Sequence, residues 1–571
     1  MKSYQKIAVI VLALGILFSD GIMEHFQFAQ NPLIFGDDAR SQIPVFYQYQ
    51  DDGSRGKDYI ADYFLKVFMP LGYKTIMILA AKYWDAASLS KLLPYLEFIL
   101  LAAALGAIGW KIGGPATCFA TLALTLSSGV FFVRMIGGLP RSFGFPLLAM
   151  ALAAVVYGRA YILAGVTLLG SLLYPVVTVI SGSWLALLLL VAPEKIRENV
   201  WSLKKRFTIV LLTAVLSAGF VLPQMIAGLE YGDKIKASEI EAFPEITAGA
   251  YPGTGDLPPF RGFFAESTPI IFHTLLGTGD PFAQSFSLRM EKTENAFDAT
   301  LLIVFSVCII VLAGRLILIT TRPAVSRLAL TFPGVLFCHS LALAFFPYFY
   351  LPARYVIYTI PLYIVILFPA ALHALAGSIP FLRDKPWRIS TLIVSVVAVF
   401  LLLLGGKGNG GLGYTVRILG GTNLFSFISK LPPDSMIAGW PLGMIDNVSY
   451  ISKRKTYLNH ETHQATQKKY ALEMRRRMNA LIDVFFALDS KPLQTLRDQD
   501  HVDYLIIDQD RAGFYPFAYR YHWPYRPMIQ SRAAQAMGRE YIFSPEIENA
   551  VVFREGVLRL IDLRKIGHPA K

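Results

Sequence analysis

Long apolar stretches, each close to twenty residues, recur through residues 1–405 of this chain. A bilayer core about 30 Å thick requires roughly 20 apolar residues per helix, and a helix satisfies its own backbone hydrogen bonds in lipid. Only 16% of the residues are charged, whereas soluble domains carry about 25%. The pattern predicts a polytopic α-helical membrane protein.

The apolar segments predict about eleven transmembrane helices. Residues 160–192 are too long for one span, and Pro175 is the expected break between two tightly connected helices. No small-x-small cleavage site follows the first apolar segment, so we expect it to remain as an uncleaved helix. The predicted spans are 5–23, 92–110, 114–133, 142–158, 160–175, 177–192, 207–229, 298–318, 328–346, 353–375 and 389–405.

Lysine and arginine in short loops predict the orientation, because these residues resist translocation. The segment APEKIRENVWSLKKRF, between the sixth and seventh spans, is the strongest cytoplasmic marker. With it inside, the N-terminus is cytoplasmic and three long segments face outward, 24–91, 230–297 and 406–571. We therefore expect a plasma (inner) membrane protein with a transmembrane domain over 1–405 and an extracytoplasmic soluble domain over 406–571.

The soluble segment alternates strand-like and helical patterns. After the Gly-rich linker GGKGNGGLG come the strand-like runs SMIAGWP, KTYLNH and DYLIIDQ and the hairpin-like VVFREGVLRLIDL. TQKKYALEMRRRMNALIDVFFAL has a helical period. These patterns predict a small α/β domain.

The net charge of +13 indicates topology rather than nucleic-acid binding, because much of the basic charge lies beside apolar spans, next to membrane lipids. The chain has no P-loop, dinucleotide-binding fingerprint or nucleophile elbow in a supporting context. ATP-driven transport and hydride chemistry are therefore not expected.

Two adjacent carboxylates, Asp37 and Asp38, follow the first span by about a dozen residues and are expected near the lipid headgroups. Adjacent carboxylates there could hold a divalent cation such as Mg²⁺ or Mn²⁺, or act as a general base toward a hydroxyl. The alternative is that Asp38 caps an interfacial helix beginning at Ala39. The two roles are compatible in one side chain.

Three outer arginines are exceptions to the positive-inside rule, and each has two open interpretations. Arg134 precedes GGLPRSFGFP and Arg141 lies within it, and either an ion pair with Glu97 or a lipid-linked phosphate would explain them. Arg354, in LPARY, either binds a ligand phosphate or extends its head group to the lipid surface.

A histidine pair in the soluble segment carries little weight. His460 and His463 stand in NHETH, but an HxxH spacing without further ligands is weak evidence for a metal. We therefore expect no zinc site there.

These features resemble the GT-C superfamily of polytopic glycosyltransferases, which use polyprenyl-phosphate-linked sugar donors on the extracytoplasmic face. The resemblance lies in GDDAR after the first helix, the outer arginine of LPARY and the C-terminal outer α/β domain. The WWDYG-like acceptor motif of oligosaccharyltransferases has no counterpart, since YWDAA at 83–87 is in the wrong place. Protein O-mannosyltransferase-like and aminoarabinose transferase-like proteins are therefore the nearer relatives in form.

The resemblance implies a mechanism. Asp38, or Asp37 as the alternate, would deprotonate the acceptor hydroxyl or orient it through a metal. Arg354, with Arg141 or Arg134, would bind the donor phosphate, and attack from the opposite side would invert the anomeric centre. Two other functions remain open: a transporter or flippase of lipid-linked saccharide, and a non-catalytic envelope assembly protein.

Overall fold

The computed structural model describes most of the chain. Predicted span 298–318, most of the predicted outer loop 230–297 and the Gly-rich linker lie outside the described residues. The described ranges are 3–50, 56–194, 201–245, 323–345, 351–383, 386–404, 414–463, 465–508 and 520–567, with residues 267, 270, 271, 274 and 349.

Helices dominate the described part of the chain. The α-helices before the linker are α1 Ser3–Leu17, α2 Ser19–Gln30, α3 Ala39–Gln42, α4 Tyr59–Val67, α5 Leu71–Ala81, α6 Ala86–Ser127, α7 Gly129–Met135, α8 Gly144–Val156, α9 Ala160–Leu173, α10 Pro175–Ala186, α11 Leu203–Gly228, α12 Pro323–Ala344, α13 Ala353–Ile357, α14 Ile360–Ser378, α15 Pro380–Arg383 and α16 Pro386–Leu404. After it come α17 Thr422–Ile428, α18 Ile445–Ile451, α19 Lys468–Phe485, α20 Lys491–Asp500, α21 Arg526–Ala536 and α22 Pro545–Glu548.

Four helical segments among the described residues are long and apolar enough to cross a membrane: Ala86–Ser127, Leu203–Tyr231, Pro323–Ala344 and Ala353–Ser378. A fifth arises if α1 and α2 form one span, although they are bent by 67° at their junction. Several other predicted spans correspond to shorter apolar helices, including Pro140–Val156, Ala160–Leu173 and Pro175–Val191. Eleven spans are therefore not confirmed, and the first is broken rather than straight.

Two helix breaks follow directly from the sequence. The expected break at Pro175 is present, because α9 ends at Leu173 and α10 begins at Pro175. Within α6 the chain reverses at Gly114, whose φ of 76° is readily accessible to glycine. The two halves then pack closely, since a Cβ on Gly109 would meet Cys118 Cα at 3.0 Å.

The α11 helix shows an environment suited to lipid. Its buried residues are Thr213, Ser217 and Gly228, whereas apolar side chains such as Leu212 and Val215 are exposed. A helix with its polar residues inside and its apolar residues outside fits a hydrocarbon solvent.

A mixed five-stranded sheet forms in the chain after the linker. Its order is β4-β3-β5-β7-β6, with β3 parallel to β4 and β5, and β7 antiparallel to β5 and β6. Each strand lies within a predicted strand-like run, and α19 lies within the predicted helix, so the α/β pattern is confirmed. The strands are β3 Met436–Gly439, β4 Lys455–Thr456, β5 Tyr504–Ile507, β6 Val551–Glu555 and β7 Leu558–Asp562.

A second, two-stranded sheet joins segment 24–91 to the residues that follow the linker. β1, Ile34–Phe35, pairs antiparallel with β2, Val416–Arg417. Further contacts tie the same parts together: the Tyr47 hydroxyl donates to the Tyr450 carbonyl at 3.0 Å, and the Tyr63 hydroxyl donates to Gln467 Oε1 at 2.8 Å. The acidic motif that follows β1 is therefore held between the apolar helices and the five-stranded sheet.

Candidate active site

The acidic motif is a tight turn between β1 and α3. The Asp37 N–H donates to Thr415 Oγ1 at 3.0 Å, and a Cβ on Gly36 would meet Ile136 Cγ2 at 3.1 Å. α3 begins at Ala39 as predicted, but the Asp38 side chain makes no capping hydrogen bond. The turn therefore presents two consecutive carboxylates without using Asp38 as a side-chain cap.

Asp38 forms an ion pair with one of the outer arginines. Its Oδ2 lies 2.7 Å from Arg141 Nη1, and both side chains are mostly buried. Glu97, one of the two partners considered from sequence, is fully buried and accepts a hydrogen bond from Ser142 Oγ at 2.6 Å. The structure thus brings together Asp38 and Arg141, two residues singled out separately in the sequence.

Arg141 and Arg354 line one cavity of about 550 Å³. Arg354 Nη1 donates to the hydroxyl of Tyr174, which lies at the break between α9 and α10, at 3.1 Å. Arg134 is not among the residues that line this cavity. Two of the three predicted phosphate-binding arginines therefore share a site.

The lining of the cavity combines charged and apolar side chains. Val176, Val221 and Met225 contribute apolar wall, and Lys234 and Lys236 add positive charge to that of the two arginines. An amphipathic ligand with an anionic head and a hydrocarbon tail suits such a lining, because guanidinium groups bind phosphate through paired hydrogen bonds.

Asp37 lies in a different group of side chains. Arg40 contacts its carboxylate, and His460 Nε2 lies 3.9 Å from Asp37 Oδ1. His460 is held in turn by Glu461, with Nε2 to Oε1 at 2.8 Å, and by Asp446, with Nδ1 to Oδ2 at 3.1 Å. Segment 24–91 and the sheet-bearing part of the chain thus build one polar cluster.

The charges of this cluster shift the pKa values of two members. Burial disfavours the charged imidazole, but the Glu461 and Asp446 carboxylates outweigh it and raise the pKa of His460 to about 10. Burial, and then the charge of Glu461, raises the pKa of Asp37, although Arg40 and His460 oppose that change. His460 therefore carries a positive charge near neutral pH, and Asp37 is more basic than an ordinary aspartate.

Asp37, His460 and Glu461 also form a set of donors suited to a metal ion. One ligand atom from each lies within 4.8 Å of the others. Two carboxylate oxygens and an imidazole nitrogen suit Zn²⁺ or Mn²⁺ better than Mg²⁺, which prefers oxygen ligands. Binding would require His460 to lose its proton and Arg40, whose Nη2 lies 2.9 Å from His460 Nε2, to move aside.

This geometry changes which residues are candidates for binding a metal ion. Asp37 belongs to the three-donor cluster and Asp38 does not. His460 and Glu461 were missed as partners of Asp37, since a histidine spacing without further ligands carries little information. The available signal was the pair of polar residues directly after a predicted strand, where side chains of an α/β domain gather.

Comparisons with known proteins give distant likenesses. No protein-family profile and no curated protein matches the chain. Solved structures of the oligosaccharyltransferase of Archaeoglobus fulgidus align with most of the length of this chain. Its apo form is 12% identical with a TM-score of 0.47, covering 89% of this chain and 70% of that one. A form tethered to an acceptor peptide is 11% identical with a TM-score of 0.48, covering 93% and 72%.

Proposed function

We propose that the protein is a membrane glycosyltransferase that moves a sugar from a polyprenyl-phosphate donor to a hydroxyl acceptor on the extracytoplasmic face, with inversion. One observation carries the proposal: Arg141, which holds the Asp38 carboxylate at 2.7 Å, lines a cavity together with Arg354 and several apolar side chains. Arg141 thus connects a base to a cavity that has a second arginine and a hydrocarbon-compatible wall.

Donor binding follows from the lining of this cavity, which we name the arginine cavity. The phosphate would lie between Arg141 and Arg354, and the polyprenyl tail would leave along Val221 and Met225. Leu222 and Ile226, on the same helix, are 53% and 58% exposed and suit contact with lipid. The tail would therefore stay in the bilayer while the phosphate reaches the headgroup plane.

The transfer step uses the ion pair. Arg141 would be shared between Asp38 and the incoming phosphate, so donor binding would draw the guanidinium away and leave the carboxylate available as a base. Asp38, with Asp37 as the alternate, would accept the acceptor's hydroxyl proton as the oxygen attacks the anomeric carbon. The bond between that carbon and the phosphate oxygen breaks, and its electron pair leaves on the phosphate, where the arginines stabilise the charge.

A divalent cation is a further element of the proposal. Asp37, His460 and Glu461 would hold it, and it would supply a positive charge that stabilises developing negative charge. Localisation in the plasma membrane, with the N-terminus in the cytoplasm and the sheet-bearing domain outside, remains part of the same proposal, supported by the distribution of lysine and arginine.

The test is release of free polyprenyl phosphate from polyprenyl-phosphate sugars by purified protein in nanodiscs. Wild type is expected to turn over, and Asp38→Asn to lose about 10²- to 10⁴-fold in rate, because the amide cannot act as a general base. Asp233→Asn is the matched control, since Asp233 is an exposed carboxylate on the rim of the same cavity.

Two results would contradict the proposal. One is equal activity of Asp38→Asn and wild type. The other is absence of turnover by well-folded wild type with every donor offered, which would favour the transport or assembly functions.

A further inference from the structure

A second cavity, of about 230 Å³, approaches the acidic turn from another direction. It has no lining residue in common with the arginine cavity. We name it the apolar crevice, lined by Phe18, Gly21, Ile22, His25, Pro94, Tyr95, Phe98, Ile99, Leu126, Phe132, Met135 and Ile136.

The lining of the apolar crevice is almost entirely hydrocarbon. Two polar side chains take part, and they satisfy each other, because His25 Nδ1 lies 2.9 Å from the Tyr95 hydroxyl. Phe98 and Phe132 stack with ring centroids 5.3 Å apart. A charged or strongly polar group would lose hydration here without replacement, so the crevice suits a hydrocarbon chain.

The mouth of the crevice faces the same environment as the lipid-exposed helices. Ile22 and Ile99 line it and are 48% and 64% exposed, and the neighbouring Leu96 is 53% exposed. Exposed apolar side chains around an apolar opening mark a site reached from the bilayer. A chain could therefore enter sideways without crossing water.

Two sets of contacts connect the wall of the crevice to the acidic turn. Ile136, a lining residue, packs against Gly36, where an added Cβ would lie 3.1 Å from its Cγ2. The ring centroids of His25, another lining residue, and Tyr414 are 5.3 Å apart, and the next residue, Thr415, accepts the Asp37 N–H. A hydrocarbon chain in the crevice would thus be separated from the acidic turn by a single layer of side chains.

We infer that the apolar crevice binds one hydrocarbon chain of the acceptor, which makes the acceptor a lipid. This inference rests on the proposed transferase function. The arginine cavity takes the donor's phosphate and tail, so a second, separate hydrocarbon site at the acidic turn serves the other substrate. The acceptor hydroxyl loses its proton to the aspartate and forms the glycosidic bond, while the donor's bond to phosphate breaks.

Binding is tested by photolabelling in nanodiscs with an alkyl glucoside that carries a diazirine in its single chain. Adducts are expected on α2 and on α6 near Phe98 and Ile99. Gly21→Leu should fill the crevice, because Gly21 lines it and has no atom within 4 Å of its Cβ position. Labelling should fall about tenfold. This is the loss of affinity expected when roughly two methylenes of the probe's hydrocarbon chain can no longer be buried.

Gly15→Leu is the matched control. Gly15 lies on the adjoining α1, also has open space at its Cβ position, and does not line the crevice, so its labelling should equal that of wild type. Ile99→Trp, at the exposed mouth, is a second way to obstruct the crevice if Gly21→Leu folds poorly. Gel filtration and melting temperature report folding for each variant.

Transfer is measured separately with a water-soluble, short-chain prenyl-phosphate sugar as donor and extracted membrane lipids as acceptor. Label entering the organic phase reports transfer. Gly21→Leu is expected to lose this transfer about tenfold while still binding inorganic phosphate as wild type does.

Each remaining outcome has one meaning. Absence of crevice adducts in wild type overturns the inference and leaves the proposed transferase intact. Adducts that disappear in Gly21→Leu without a change in transfer also overturn it, since the chain is then a structural lipid only. No turnover by wild type removes the proposed function itself, whereas turnover without crevice adducts removes only the present inference.

Discussion

Asp37 and Asp38 are consecutive in sequence, yet they belong to two different parts of the molecule. Asp38 meets Arg141, which lines the arginine cavity, whereas Asp37 meets Arg40 and His460 beside the five-stranded sheet. Successive side chains at a turn point in different directions, so one short motif serves two environments. The comparison shows that an acidic pair need not act as one ligand.

The largest expected effect tests the Asp38 environment. Arg141→Lys keeps the charge but removes the bidentate guanidinium, so it should lower kcat/KM roughly a hundredfold, as loss of one preorganised donor does. Arg354 donates to the Tyr174 hydroxyl, so Arg354→Lys should mainly raise the donor KM by about tenfold. Steady-state kinetics with one donor would check both. Equal effects of the two substitutions would contradict a special role for the Asp38–Arg141 pair.

A smaller effect tests whether Asp37, and not Asp38, binds the cation. His460→Gln and Glu461→Gln should weaken Zn²⁺ or Mn²⁺ binding about 10- to 100-fold, because each removes one of three donors. Asp38→Asn should leave the affinity unchanged. Isothermal titration calorimetry at about pH 7.5 measures each dissociation constant. At this pH, His460 must release a proton when the metal binds. An equal loss of metal affinity in Asp38→Asn would indicate that both aspartates bind one cation.

The smallest effect concerns stability against pH in the presence of a chelator. The charge of His460, favoured by Glu461 and Asp446, contributes stability that is complete below pH 6.5 and is lost as the pH rises toward about 10. The melting temperature of wild type should therefore fall more steeply over this range than that of His460→Gln. His501→Asn, at an exposed position with left-handed backbone, is the control and should follow wild type. Parallel curves for wild type and His460→Gln would contradict the charged cluster.

Much of the fold was predictable because it depends on local patterns. The four strand-like runs and the helix over Lys468–Phe485 appear where alternation and helical period place them. The break at Pro175 follows from its missing N–H. The bend between α1 and α2 was not predictable from hydropathy, because a window of apolar residues carries no information about helix direction.

The candidate site was predictable in its residue types and only partly in its partners. Asp38, Arg141 and Arg354 were identified individually, but Glu97 was considered as the arginine partner where the structure pairs Arg141 with Asp38. His460 and Glu461 carried too little signal alone, since their meaning depends on Asp37, which is distant in the chain.

The sequence by itself determined that apolar helices build the first part of the protein, that an α/β pattern ends it, and that two carboxylates follow the first apolar segment. Those properties depend on composition and on periods of a few residues. Only the tertiary structure decided that β1 pairs with β2, that Asp37 joins His460, and that Asp38 joins Arg141. Such contacts link residues far apart in the chain, and packing of whole elements, rather than any local preference, brings them together.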